Sequence, residues 1–239
     1  MRTDDERVVW ALDVGKQTHR PVLEGVCLEL RAGQTLLVRA DSGAGKSTLL
    51  SLLGGLKQPD KGQVLIQGKN LARLSHRRKA ALRRRIGFVF QDLRLCWDRS
   101  VHYNVLLPLR FNGAWGKAAK AKVEEVCHLV GLEPQTGVAV SELSRGEQQL
   151  VALARALVAD PFLILADEPT AHLDVRTSLR VMGLLRGMAA RGAAVVVATA
   201  DMMASGAFEA DLEFELKQTR LVPMWTDAGH ELPLAATGA

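Results

Sequence analysis

The chain has 239 residues, 48% of them hydrophobic, 24% charged and only 5% aromatic. That balance supplies a sizeable apolar core and excludes a disordered, collagen-like or disulfide-stapled chain. The formal net charge of +5 is local: Lys69, Arg73, Arg77, Arg78, Lys79, Arg83, Arg84 and Arg85 lie in one run without an acid, and acids outnumber bases in the rest. The chain as a whole is therefore not a nucleic-acid binder. The basic run reads first as a solvated helix face, and second as a contact for an acidic partner or anionic lipid headgroups.

In chain order, Gln34 to Ala40 (QTLLVRA) predicts a strand and Lys46 to Leu56 a helix. Val64 to Gln67 and Phe88 to Phe90 predict two further strands. Leu106 to Val130 reads as mostly helical, broken around Asn112 to Gly116. Leu150 to Ala159 is a helix, Phe162 to Ala166 a buried strand, Val175 to Ala190 a helix and Ala193 to Thr199 another buried strand. This order predicts an α/β protein with a largely parallel sheet covered by helices on both faces. Leu212, Phe214 and Leu216 alternate with acids as a half-buried strand, and Leu221 to Met224 can pair with it. The residues after Pro233 read as a frayed tail.

The apolar run Ala193 to Ala200 has eight residues, far short of the roughly 20 needed to span a bilayer. The N-terminal stretch is too polar for a signal peptide, so a cytoplasmic location is expected. Cys27, Cys96 and Cys127 are scattered and read as reduced thiols. Trp97 and Trp115 flank the helical stretch and read first as core residues. No repeat or linker divides the chain, which predicts one unit over residues 1–239.

The chemistry concentrates at a few points. Ala40 to Thr48 (ADSGAGKST) follows a predicted strand and opens a helix, the phosphate-cradling pattern with alanine in place of its first glycine. Gly43 and Gly45 let the backbone N–H groups of Ser42 to Thr48, Ala44 among them, turn toward phosphate oxygens. Lys46 would reach the outer phosphates and the Ser47 hydroxyl would ligate Mg²⁺. The strand Phe162 to Ala166 ends in Asp167 and Glu168. Asp167 would hold Mg²⁺ through water and Glu168 would polarise an attacking water. Ser144-Arg145-Gly146-Glu147 forms an S-x-x-E capping box at a helix start, which also offers N–H donors to an anion.

With these residues in series, the chain resembles an ATP-binding-cassette (ABC) ATPase subunit over roughly Val8 to Met224. Five motifs stand in the family's order: ADSGAGKST, FVFQD with Gln91, LSRGEQQ, FLILADEP, and AHLD ending at Asp174. The resemblance implies a P-loop NTPase fold of ABC ATPase type. That fold has a mostly parallel core, an antiparallel β subdomain, a helical subdomain over about 92–143 and a tail over 225–239. It implies ATP and Mg²⁺ held between two copies, each nucleotide lying between one phosphate loop and the partner's Ser144 and Gly146. Gln91 would sense Mg²⁺ and water. Within the family, Gln91 to Val101 followed by Asn104-Val105 is similar to the FtsE-type cell-division ATPases, with lipoprotein-release and macrolide-efflux ATPases next. That implies a peripheral subunit on the cytoplasmic face of the inner membrane, a homodimer or heterodimer driving an FtsX-like, permease-like partner.

Four positions depart from the family pattern. Ala200 stands where the resemblance implies a histidine on the γ-phosphate, and Lys16 where an aromatic would stack on adenine. Ala40 and Arg145 replace glycines. The loss at Ala200 weighs most. By analogy with deleting one transition-state donor it costs about 100- to 1,000-fold in rate. Two readings follow: an ATPase of impaired turnover, or a degenerate, ATP-gated dimerisation and scaffold module. His172, in AHLD, is a candidate stand-in across the dimer.

Overall fold

The computed structural model describes residues 7–201, Gly206 and 208–224; the expected tail lies outside them. Two strands that the hydrophobic pattern left unread open the described chain, β1 (Arg7–Gln17) and β2 (Pro21–Arg31). Their alternation is interrupted: register shifts fall between Ala11 and Val14, and Asp13 sits at φ 48°. A period-2 reading breaks where such a bulge inserts a residue. These strands join β4 (Lys61–Ile66) and β5 (Lys69–Asn70) in a four-stranded antiparallel sheet of order β2-β1-β4-β5.

The second sheet holds β3 (Thr35–Arg39), β6 (Ile86–Val89), β7 (Leu163–Asp167), β8 (Ala194–Thr199), β9 (Leu212–Lys217) and β10 (Arg220–Pro223), in the order β10-β9-β3-β8-β7-β6. All its pairs are parallel except the β9–β10 hairpin. Both faces are covered, which is why β7 and β8 read as unbroken apolar runs. On β3, Leu36 and Val38 pack toward α1 (Lys46–Leu53) and the antiparallel sheet, and Leu37 packs toward the opposite layer. That opposite layer is helical: α3 (Val101–Phe111), α4 (Gly116–Val130), α5 (Arg145–Leu157) and α6 (Val175–Ala190). Helices thus cover both faces as expected, α1 on the second one, where the antiparallel sheet packs beside it.

The helical break falls where expected, between the α3 cap Asn112 and Gly116, with Gly113 at φ 80°. Helix α5 begins at Arg145, five residues before the predicted start, because the Ser144 cap sets the helix before its apolar face begins. Trp97 and Trp115 are not core residues: they are 43% and 67% exposed. Of the basic run, Arg77, Arg78, Lys79 and Arg83 lie on a short exposed helix, α2 (His76–Arg83), capped by Ser75 and anchored by Leu82, while Lys69 lies on β5 and Arg73 in a 3-10 turn. No helix among the described residues is long and apolar enough to cross a membrane.

Candidate functional site

Every motif residue after a strand of the large sheet sits at the carboxyl end of that strand, on one edge. The loop Ala40–Gly45 leaves β3, Gln91 follows β6, Asp167 closes β7, and Ala200 follows β8. The parallel register brings Asp167 opposite Ala198 and Arg39 opposite Thr199. The edge is thus assembled by the sheet alone.

Helix α1 has no side-chain cap, unlike α2, α3, α5 and α6, whose first-turn N–H groups donate to the side chains of Ser75, Ser100, Ser144 and Asp174. Its N-cap is Gly45 at φ 112°, a conformation that L side chains rarely adopt. The first N–H groups of α1 therefore point out of the loop unshared, with the positive end of the helix behind them, which is an anion site by construction. Gly43, at φ 80°, has open space where a side chain would stand. Ala40 has no positive φ, so the missing loop glycine costs no backbone strain.

Lys46 is buried and folded back. Its Nζ donates to the carbonyls of Ala40 (2.8 Å) and Asp41 (3.0 Å) and lies 3.0 Å from Glu168 Oε1. Glu168 sits at φ 49°, and its carboxylate also accepts from the Thr199 hydroxyl (2.8 Å) and the Ala200 N–H (3.0 and 3.2 Å). Thr199 was not legible as a site residue; its one signal is a hydroxyl closing an otherwise apolar strand.

Asp167 is buried beside Ser47, and its Oδ1 has no hydrogen-bond partner. Burial pushes its pKa up, while the Ser47 hydroxyl pulls the other way. A buried, unpaired carboxylate oxygen next to a hydroxyl is a donor set suited to a hard cation such as Mg²⁺. Ser47, Gln91 and Asp167 line one cavity of about 480 Å³. The segment after Gln91 is held from behind. Arg155 of α5 donates to the carbonyls of Leu93 and Arg94, both at positive φ, and buried Asn104 accepts from Cys96 N and donates to the carbonyls of Cys96 and Ser100. Arg155 and Asn104 were missed as supports of the site. A lone cation on the apolar side of α5 was the available signal for the first.

Ser144 and Gly146 are not brought to the loop within the chain. Ser144 exchanges hydrogen bonds with Glu147, whose pKa that hydroxyl lowers, and both Ser144 and Arg145 are exposed. A side chain at 146 would meet Leu173 and the His172 carbonyl, so AHLD lies against the start of α5. Gln149, one turn further along α5, donates to the Glu168 carbonyl. Lys16 does not reach the loop; it pairs with Asp60 at 2.8 Å.

The family model described as "ABC transporter" matches residues 23–171. The chain belongs to the ABC transporter family. This ABC subunit is 43% identical over 182 residues to the lipoprotein-releasing system ATP-binding protein LolD of Chromohalobacter salexigens, covering 75% of this chain and 77% of that one. It is 39% identical over 183 residues to the cell division ATP-binding protein FtsE of Escherichia coli, covering 77% and 82%. It also superposes on the dimeric structure of a post-hydrolysis ATP-binding cassette bound to ADP and Pi, with TM-score 0.83 and 32% identity over 89% of this chain and 96% of that one. The fold is that of an ABC ATPase cassette, an ATP-binding domain whose family works with membrane permease components.

Proposed function

We propose that this subunit is FtsE-like, binds Mg-ATP between two head-to-tail copies, and hydrolyses it slowly to move an FtsX-like membrane partner. The reading rests on one observation: the uncapped start of α1, which carries Lys46, stands with Asp167 and Glu168 on a single edge. In it residues 7–224 act as one cassette, with 92–143 as its helical arm. The backbone of Ser42, Gly43, Ala44 and Gly45, with Thr48 after them, cradles the phosphates, and Lys46 leaves Glu168 to meet them. Release of Lys46 frees the Glu168 carboxylate, still steadied by Thr199 and the Ala200 N–H, to accept a proton from water. Ser47 and Asp167, with Gln91, would hold Mg²⁺, which when bound offsets the charge of the outer phosphates. The partner's Ser144 and Gly146 close the site with their helix start.

A second reading, a nucleotide-gated scaffold with negligible turnover, draws on Ala200, which offers the γ-phosphate no side chain. Phosphate release from the purified chain, alone and with its membrane partner, separates the two. The ATPase reading predicts release that Glu168→Gln abolishes. Release no faster than that of the variant would leave the scaffold.

A further inference from the structure

One cation at the site edge has no part in the chemistry proposed so far. Strand β3 is buried from Thr35 to Val38 and ends in Arg39. The Arg39 side chain is mostly shielded from water. Its Nη2 lies 2.9 Å from Oε2 of Glu213 on β9, and its Nε is buried without a hydrogen-bond partner. A buried guanidinium N–H left unpaired is a standing cost to the fold. In the β3–β8 ladder Arg39 pairs with Thr199, about 5 Å away on the adjacent strand. Alternation puts both side chains on the face of Leu37 and Val197. On that face the Thr199 hydroxyl donates to Glu168, which follows β7. Glu168, Thr199 and Arg39 thus stand in a row along the carboxyl edge of β7, β8 and β3. Ala200, beside them, offers no side-chain donor.

We propose that Arg39 is a further catalytic residue: it leaves Glu213 when the nucleotide is bound and donates to the γ-phosphate in place of a side chain at 200. The inference rests on the ATPase reading and deepens it. Phosphate oxygens accept the forked N–H groups of a guanidinium and carry more charge than one carboxylate, so they compete with Glu213 for it. Nε, unpaired while Arg39 rests on Glu213, gains a partner by the move. Arg39 then holds the charge on the γ-phosphate oxygens while the water oxygen bonds to phosphorus. The water proton passes to Glu168, and the bond from phosphorus to the bridging oxygen breaks with its electron pair kept by ADP. Because Glu213 holds the arginine back, this donor is weaker than one built in at position 200, in keeping with slow turnover.

Steady-state phosphate release by the full chain tests this. Arg39→Met is expected to lower kcat at least about tenfold, part of the roughly 100- to 1,000-fold worth of one transition-state donor, with KM little changed. Glu213→Gln removes the same ion pair but frees Arg39, so it is expected to raise kcat. In Ala200→His, where an imidazole fills the role, Arg39→Met is expected to cost much less than in the native chain. The proposal is overturned if Arg39→Met leaves kcat unchanged, if Glu213→Gln fails to raise it, or if the cost of Arg39→Met is equal with and without the histidine. A like fall in both single variants would make the pair a structural tie between β3 and β9. Each of these results leaves the ATPase reading standing, because native release still exceeds that of Glu168→Gln. Native release no faster than that variant's overturns both.

Discussion

The ammonium of Lys46 and the carboxylate of Glu168 lie 3.0 Å apart, both largely shielded from water. The residue that would draw in the phosphates and the residue that would activate water thus occupy one another. A triphosphate entering the loop has to take Lys46 from Glu168, so nucleotide binding and release of the base are a single exchange.

Glu168→Gln keeps the shape of the side chain and removes the charge that competes for Lys46. The variant is expected to bind ATP more tightly than the native chain, by about tenfold for one weakened ion pair at this depth, while phosphate release stops. Isothermal titration with ATP and a phosphate assay check both halves. Equal affinity in the two proteins would mean that the Lys46–Glu168 pair does not oppose binding.

Ala200→His restores a side chain at the end of β8, beside the N–H that already reaches Glu168. Turnover is expected to rise on the order of 100-fold, the worth of one transition-state donor, with little change in ATP affinity. Steady-state kinetics separate kcat from KM here. A change confined to KM would place the new imidazole on the ground-state nucleotide alone.

Asp167→Asn acts with opposite signs on the empty and loaded protein. Burial makes the Asp167 carboxylate costly, and its Oδ1 is unpaired, so the empty variant is expected to melt at the same temperature as the native chain or higher. The extra stability conferred by Mg²⁺ with ATP is expected to disappear, because the anionic oxygen that fits the cation is gone. Thermal melts with ATP, with and without magnesium, read both effects.

Acid loosens the helix starts. Hydrogen bonds from Ser144 and Thr177 hold the Glu147 and Asp174 carboxyls below their ordinary pKa values. Carboxyls shifted down stabilise the fold above the ordinary carboxylate range, and that support is lost as pH falls through the depressed values. Asp167, shifted up, works the other way: its contribution is present at low pH and declines as pH rises through its raised value. Melting temperature is thus expected to fall on acidification, less steeply in Glu147→Gln. Ser144→Ala, which removes the cap, is expected to cost about 1 kcal/mol at neutral pH.

The strands and helices around the site were legible because β3, β7 and β8 are buried on both faces and α6 carries its apolar stripe from end to end. The first two strands were not, since positive φ at Asp13 in β1 and at Gly25 in β2 breaks their alternation. At the site, residues named by local pattern, such as Lys46 and Asp167, stand where the pattern puts them. Thr199, Arg155 and Asn104 act through partners 31 to 62 positions away or through backbone carbonyls, contacts that no spacing rule encodes. The tryptophans were misplaced because bulk and apolarity argue for burial, whereas both stand outside the helical core.

One copy's Lys46 loop and another copy's Ser144 cap are expected to enclose the same nucleotide, and complementation tests this most directly. Lys46→Ala and Ser144→Arg chains, each alone, are expected to stay monomeric by sedimentation velocity in Mg-ATP. Mixed in equal amounts they can build one intact site from the native loop of the second and the native cap of the first, so an ATP-dependent dimer is expected to appear. A mixture that sediments as the simple sum of its two components would contradict the head-to-tail site.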